Sequence, residues 1–178
     1  MLPALPPPLR ALDRTRSFHV LLVEPEIPPN TGNIARLCGA TRAALHLVGP
    51  LGFRIDEHAV RRAGLDYWHL VEVHRHPDLP TAEAALGRGA GGGAPRSWLF
   101  SAHSRRSYLD ARFRLGDLLV FGRESVGLPP ALLQERREDV LAIPTLGEVR
   151  SLNLSNAVAI ALYEALRQVG ALTPDHSR

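Results

Sequence analysis

The sequence contains a single cysteine, Cys38, among 178 residues. One cysteine excludes an intrachain disulfide, and its neighbourhood, IARLCGAT, suits a small buried side chain. No spaced Cys/His set of the kind that holds zinc occurs, so no metal is expected. Lysine is absent, and all 21 basic residues are arginine. Arginine suits phosphate recognition through its rigid fork, although wholesale replacement of lysine also follows from a genome's base composition. No apolar run reaches the ~18 residues of a membrane span. The prolines of LPALPPPL interrupt the apolar helix that a signal peptide requires. A soluble cytoplasmic protein with no membrane association is the expectation. The glycine-rich GRGAGGGAP (87–95) lacks the GK[ST] ending of a phosphate-binding loop and reads as a flexible surface segment. No GxSxG occurs, so Ser101, His103 and Ser104 have no nucleophile elbow, and a hydrolase is poorly supported.

What remains reads as one α/β domain. A chain of this size buries roughly 70% of its unfolded surface, enough for a layered core. The formal charge of +3 and pI near 9.7 permit a nucleic-acid partner without requiring one. Residues 1–17 form a Pro- and Arg-rich tail, 18–170 the domain, and 171–178 a second tail. Short Val/Leu-rich runs at 18–23, 43–48, 71–73, 98–101, 117–121 and 140–143 predict buried strands. Helices are predicted over 34–41, 56–63, 81–86 (capped by Thr81), 131–139 and 157–168. Pro25, Pro28 and Pro29 predict irregular backbone before the first of these. The alternation predicts a mostly parallel sheet with helices on both faces, its ligands gathered at the strands' carboxyl ends. His74 and His76 lie close together but have no partner set in the sequence, a weak metal signal. Tyr67 and Trp68 offer a surface that could stack on a base or pack at an interface.

The most informative stretch is 143–170, IPTLGEVRSLNLSNAVAIALYEALRQVG. Its first half is polar around Gly147. Its second half repeats Val158, Leu162, Ala165 and Leu166 near the helical period, with Ser155 or Asn156 as the predicted cap and Gly170 as the stop. Three stretches follow predicted strands: 30-NTGNIAR-36, 121-FGRESVGLP-129 and 143-IPTLGEVRSLNLSNA-157. Together they resemble the three signature motifs of the SPOUT-class RNA 2'-O-methyltransferases. VLLVEPEIPPNTGNIARLCGAT and GPLGF…RRAGLDYWH bring the likeness closest to the small tRNA (cytidine/uridine-2'-O)-methyltransferases acting on the wobble nucleotide. The resemblance covers about residues 18–170.

It implies a C-terminal trefoil knot, which the element order alone argues against because knots are rare. It implies S-adenosyl-L-methionine as cofactor, a homodimer, and a tRNA anticodon loop, notably of leucine tRNAs, as partner. The methyl acceptor would be the ribose 2'-hydroxyl of the wobble cytidine or uridine. By the same match Gly122, Ile143 and Ser151 contact the cofactor. A fourth contact falls at Ala102, where relatives carry leucine, and His103, Ser104, Arg105 and Arg106 depart from the family's usual residues there. Gly122 reads as the place where a side chain would block the cofactor's approach. Arg36 matches the motif arginine near the target nucleotide. With a pKa above ~12 it is a poor base, and a phosphate clamp suits it better. Asn30 and Asn33 are read as orienting Arg36 or the ribose. Glu124 is read as anchoring Arg36, Arg150 or a loop N–H. Asn30, Glu124, Ser151 and Asn153 complete the catalytic set, with Arg150, Ser155 and Asn156 as loop organisers. Arg42, Arg54, Arg61, Arg62, Arg105 and Arg106 are the candidates for the RNA backbone. The apolar face Val158–Leu166 is expected to be covered between subunits. A 2'-O-methyltransferase for another tRNA or rRNA site, or a non-catalytic RNA-binding module, fits the same residues.

Overall fold

The computed structural model describes residues 11, 17–53, 71–87 and 95–174. Six strands form one sheet in which every pairing is parallel: β1 (His19–Val23), β2 (Ala44–Val48), β3 (Val73–His76), β4 (Ser97–Phe100), β5 (Leu118–Phe121) and β6 (Val140–Leu141). Their order across the sheet is β3-β2-β1-β5-β4-β6. β2, β4 and β5 are buried along their whole length, as strands covered on both faces must be. Among the described residues four α-helices accompany them: α1 (Pro28–Thr41), α2 (Leu79–Leu86), α3 (Pro130–Glu135) and α4 (Leu154–Gln168).

Two apolar layers sandwich the sheet. On one face Ile34, Ala35 and Cys38 of α1 and Val158, Ala161, Leu162 and Ala165 of α4 pack on Val20, Leu22, Leu45, Phe100 and Phe121. On the other, Leu79 and Ala82 of α2 with Leu132 and Leu133 of α3 pack on Leu21, Val48, Leu99 and Val120. The α/β architecture with helices on both faces is therefore as expected. Cys38 is buried and unpaired, and burial pushes its thiol up to about 12.

Several local expectations are corrected. α1 starts at Pro28, not after Asn33. Proline lacks only an N–H that the first helical turn leaves unbonded, so Pro28 and Pro29 open the helix instead of delaying it. The side chain of Asp78, not Thr81, caps α2, accepting from the Thr81 N–H at 2.8 Å. Asn153, not Ser155 or Asn156, caps α4, accepting from the Ser155 N–H at 2.9 Å. The predicted helix 131–139 is two pieces, α3 and a 3-10 turn at Arg137–Asp139. The third strand lies at Val73–His76, two residues beyond its prediction, and carries both histidines inside it. The apolar face of α4 is not a subunit contact: Val158, Ala161, Leu162, Ala165 and Leu166 are consumed by the chain's own core. The predicted helix 56–63, Tyr67 and Trp68, arginines 54, 61 and 62, and most of the glycine-rich loop lie outside the described residues. So does most of the predicted N-terminal tail, of which Ala11 bridges Pro174.

The histidines of β3 join two others. His19, His46, His74 and His76 project from neighbouring strands. His46 sits between His19 and His76, its Nε2 3.0 Å from His19 Nδ1 and its Nδ1 3.0 Å from His76 Nε2. The His74 ring stacks on His46 at 4.8 Å, and Glu72 hydrogen-bonds His74 at 2.7 Å. Burial, and then the three neighbouring imidazoles, push His46 down to about 3. It is a neutral ring bonded at both nitrogens. Among the described residues no group of three or more His, Cys, Asp or Glu side chains is arranged to hold a metal.

Candidate active site at the carboxyl ends of the strands

The strand order reverses between β1 and β5, since β1 leads outward to β2 and β3 while β4, β5 and β6 make the other half. Ligands of open parallel sheets bind in the crevice at such a point, outside the carboxyl ends. Here that crevice is spanned by one carboxylate. Glu124, in the loop after β5, accepts the Glu26 N–H at 2.8 Å, the Ile27 N–H at 3.3 Å and the Asn30 side-chain amide at 3.0 Å. Glu26 returns the contact by accepting the Ser125 N–H at 3.1 Å. Beside them Arg123 and Glu24 form an ion pair. Glu24 takes a left-handed backbone, φ 51°, which disfavours a side chain and concentrates at sites that a structure over-determines.

The third stretch enters through Asn153. Its amide donates to Asn30 Oδ1 at 3.0 Å while its own oxygen accepts from the Ser155 N–H and hydroxyl. Asn30, 5% exposed in the first turn of α1, thus bonds Glu124 with its nitrogen and Asn153 with its oxygen. Three loops far apart in sequence meet through Asn30. Thr31, next in that turn, has a buried hydroxyl with no partner among the described residues.

The residues expected at the cofactor leave the same edge of the sheet. β5, β4 and β6 are adjacent, and Phe121, Phe100 and Leu141 end them side by side, with the two phenyl rings stacked at 4.6 Å. Gly122, Ala102 and Ile143 follow within two residues, so they span about two strand spacings, ~10 Å. Gly122 has a reason within the chain itself. A Cβ there would lie 2.2 Å from Gly127 C and Leu128 N, so the glycine is required by the chain's own turn back on itself. Ile143 is half-buried against the core, and Ser151 is exposed on the loop leading to Asn153.

Arg36 is exposed on α1, six residues beyond Asn30, about 9 Å along the helix axis. Asn33 is exposed on the same side, one turn earlier, apart from buried Asn30. Glu124 is committed to loop N–H groups and Asn30. Arg150, Ser151 and Asn156 are solvent-facing. Among the arginines expected at RNA, Arg42 caps α1 in a left-handed conformation, φ 56°, and Arg105 is exposed. Arg106 instead reaches toward the amino ends, over the Trp98 ring. The sequence reading missed Glu26, which locks Ser125. Its only signal was its place within EPEIPPN, directly after a strand.

Residues 17–163 match the SpoU rRNA Methylase family. A tRNA (cytidine(34)-2'-O)-methyltransferase of Acidovorax sp. (strain JS42) is 49% identical over 158 residues, which are 88% of this chain and 95% of that protein. One of Saccharophagus degradans is 44% identical over 156 residues, 86% of this chain and 96% of its own length. A solved structure bearing on 2-OH methylation of C/U34 on tRNA superposes with a TM-score of 0.78 at 46% identity, covering 87% of this chain and 97% of that one. The SpoU methyltransferase AviRb of Streptomyces viridochromogenes, solved in complex with AdoMet, gives a TM-score of 0.72 at 28% identity, over 88% of this chain and 62% of that one.

Proposed function

The chain belongs to the SpoU rRNA Methylase family, and on that premise we propose that it methylates the ribose 2'-hydroxyl of the wobble cytidine or uridine of tRNA, using S-adenosyl-L-methionine. The observation that carries this reading is the Asn30–Glu124–Asn153 junction, which brings the three signature stretches to one crevice beside the exits of β4, β5 and β6.

The residues present suit that cofactor. Three adjacent strand ends offer backbone amides and carbonyls, Ile143 offers a half-buried apolar wall, and Ser151 offers a hydroxyl. When bound, S-adenosyl-L-methionine supplies an activated methyl group on a sulfonium. The protein's task is then to hold an oxygen in line with it. Glu124 fixes the loops after β1 and β5 relative to each other. Asn153 ties the last loop to them and starts α4. Arg36, exposed on the helix that this junction anchors, serves as a phosphate clamp for the target nucleotide.

Three further properties follow from the same reading. The chain passes from β6 at one sheet edge back across to α4, which packs beside α1. That return path supports a trefoil knot in the C-terminal part. Val126, Leu146 and Val149 in the site loops and Ile160 and Tyr163 on the outer side of α4 are exposed apolar groups. Their exposure supports a homodimer formed through this end, in place of the buried face of α4. The proposed compartment is the cytoplasm, where tRNA is modified.

The test is transfer of tritiated methyl from S-adenosyl-L-methionine to tRNA transcripts that differ only at the wobble position. Cytidine and uridine there should accept label and a 2'-deoxy nucleotide should not. Arg36→Ala should lower kcat/KM about 10³-fold with cofactor affinity by calorimetry within twofold. Full activity in this variant would refute the clamp.

A further inference from the structure

A cavity of about 360 Å³ lies at the other end of the sheet, lined by Arg96, Trp98, Arg106, Asp110, Arg112, Arg114 and Asp117. Arg96 and Asp117 directly precede β4 and β5, so the cavity sits one strand length, ~13 Å, from the loops of the active site. Its walls are built rather than incidental. Asp117 is 3% exposed and accepts three N–H groups: Trp98 Nε1 at 2.9 Å, Arg96 N at 3.1 Å and Arg114 N at 2.9 Å. These donors fix its carboxylate in the wall. Arg96 lies flat over the indole of Trp98, 4.1 Å from the ring centre, and is steered by Asp139 at 2.7 Å. Arg106 covers the same indole at 5.4 Å and donates to the Glu138 carbonyl.

Arg112 and Arg114 complete the rim. They alternate with buried Ala111 and Phe113, so both guanidiniums face outward from one extended segment, with Cα atoms about 7 Å apart. Neither has a carboxylate partner among the described residues, and Arg106 has only a carbonyl. Four guanidiniums thus line the cavity against two carboxylates, Asp110 and the buried Asp117, and its charge is net positive. A side-by-side pair of exposed arginines backed by two guanidiniums held on an indole is a receptor for successive phosphates, and forks of this kind bind them bidentately.

We propose that this cavity binds the phosphodiester backbone of tRNA outside the anticodon arm, a second contact remote from the methylated ribose. The inference rests on tRNA being the substrate. It gives the chain a grip on the body of the molecule without an added RNA-binding domain, and makes that grip electrostatic and sequence-independent.

The experiment compares a full-length tRNA transcript with the anticodon stem-loop excised from it, for the wild-type chain and for Arg112→Glu/Arg114→Glu. Both residues are exposed, so folding should survive, and circular dichroism with cofactor calorimetry checks this. The variant should bind full-length tRNA at least about 10-fold more weakly, and its slope of log K against log salt should be shallower by about two. Stem-loop affinity and methylation should stay within twofold. The milder Arg112→Gln/Arg114→Gln should fall between the two. Unchanged tRNA affinity and salt slope would overturn the proposal. So would equal loss on both RNAs, which would assign the arginines to the anticodon arm. A shift in sedimentation to a smaller species would also overturn it, by making the cavity a contact between copies of the chain. If the wild type methylates neither RNA, the enzyme reading fails while the binding comparison can still be read.

Discussion

The two ends of the sheet are both polar, but they are assembled differently. At the carboxyl ends the decisive bonds join residues 94 to 123 positions apart, side chain to side chain or side chain to loop N–H. At the amino ends Asp117 gathers donors no more than 21 positions away. The first arrangement exists only when the whole chain has folded, since the loops carrying Glu124 and Asn153 are both fixed through Asn30. The second is local and forms with the β4–β5 pair. A cofactor crevice that must discriminate belongs at the first kind of end, and a rigid charged platform belongs at the second.

The comparison is broken most severely at Gly122. Gly122→Ala puts a methyl 2.2 Å from the backbone of Gly127 and Leu128. That overpacking should cost about 3 kcal/mol and abolish cofactor binding, read by denaturant melts and calorimetry. Glu124→Ala strips the acceptor from three donors and should cost about 2 kcal/mol, with methyl transfer down about 100-fold. Asp117→Asn, at the opposite end, should cost a similar or smaller amount, about 1–2 kcal/mol, yet leave cofactor affinity unchanged. If Asp117→Asn weakened cofactor binding as Gly122→Ala is expected to, the two ends would not be independent.

The smallest effect is confined to acid. His46 is held near 3 when folded and takes up a proton near 6.5 when unfolded. Between those values the unfolded chain binds more protons, so the stabilising contribution is complete above about 6.5 and is lost as pH falls toward 3. His19 and His76, also lowered mainly by burial, add slopes of the same sign. His46→Leu should reduce the fall in stability between pH 6 and 4 by about 1.4 kcal/mol per pH unit, measured by urea melts across that range.

Much of the fold could be read from short-range pattern. Phe18–Val23 and Ala43–Val48 are apolar runs that can only be buried strands, and the period of Val158, Leu162 and Ala165 announces α4. The errors arose where one residue type serves two roles. Pro28 and Pro29 read as breakers because proline blocks a helix interior, yet at the first turn it costs nothing. His74 and His76 fall just beyond the predicted strand 71–73, and their partners His19 and His46 lie on other strands. The site was legible as three polar loops after strands. Their mutual bonds were not, because nothing near Asn30 says that Glu124 and Asn153 will arrive there. The arginine cavity was the least legible: residues 96, 106, 112 and 114 converge only because the extended segment 111–115 doubles back beside β4.

In the proposed function the carboxyl-end junction positions a single ribose for methylation. Its most direct test is alkaline hydrolysis of a tRNA transcript after incubation with the protein and S-adenosyl-L-methionine, since a 2'-O-methyl group blocks cleavage at its own nucleotide. The account predicts one new block, at the wobble pyrimidine, that disappears with Glu124→Ala. A block at another nucleotide, or none while the cofactor demonstrably binds, would contradict it.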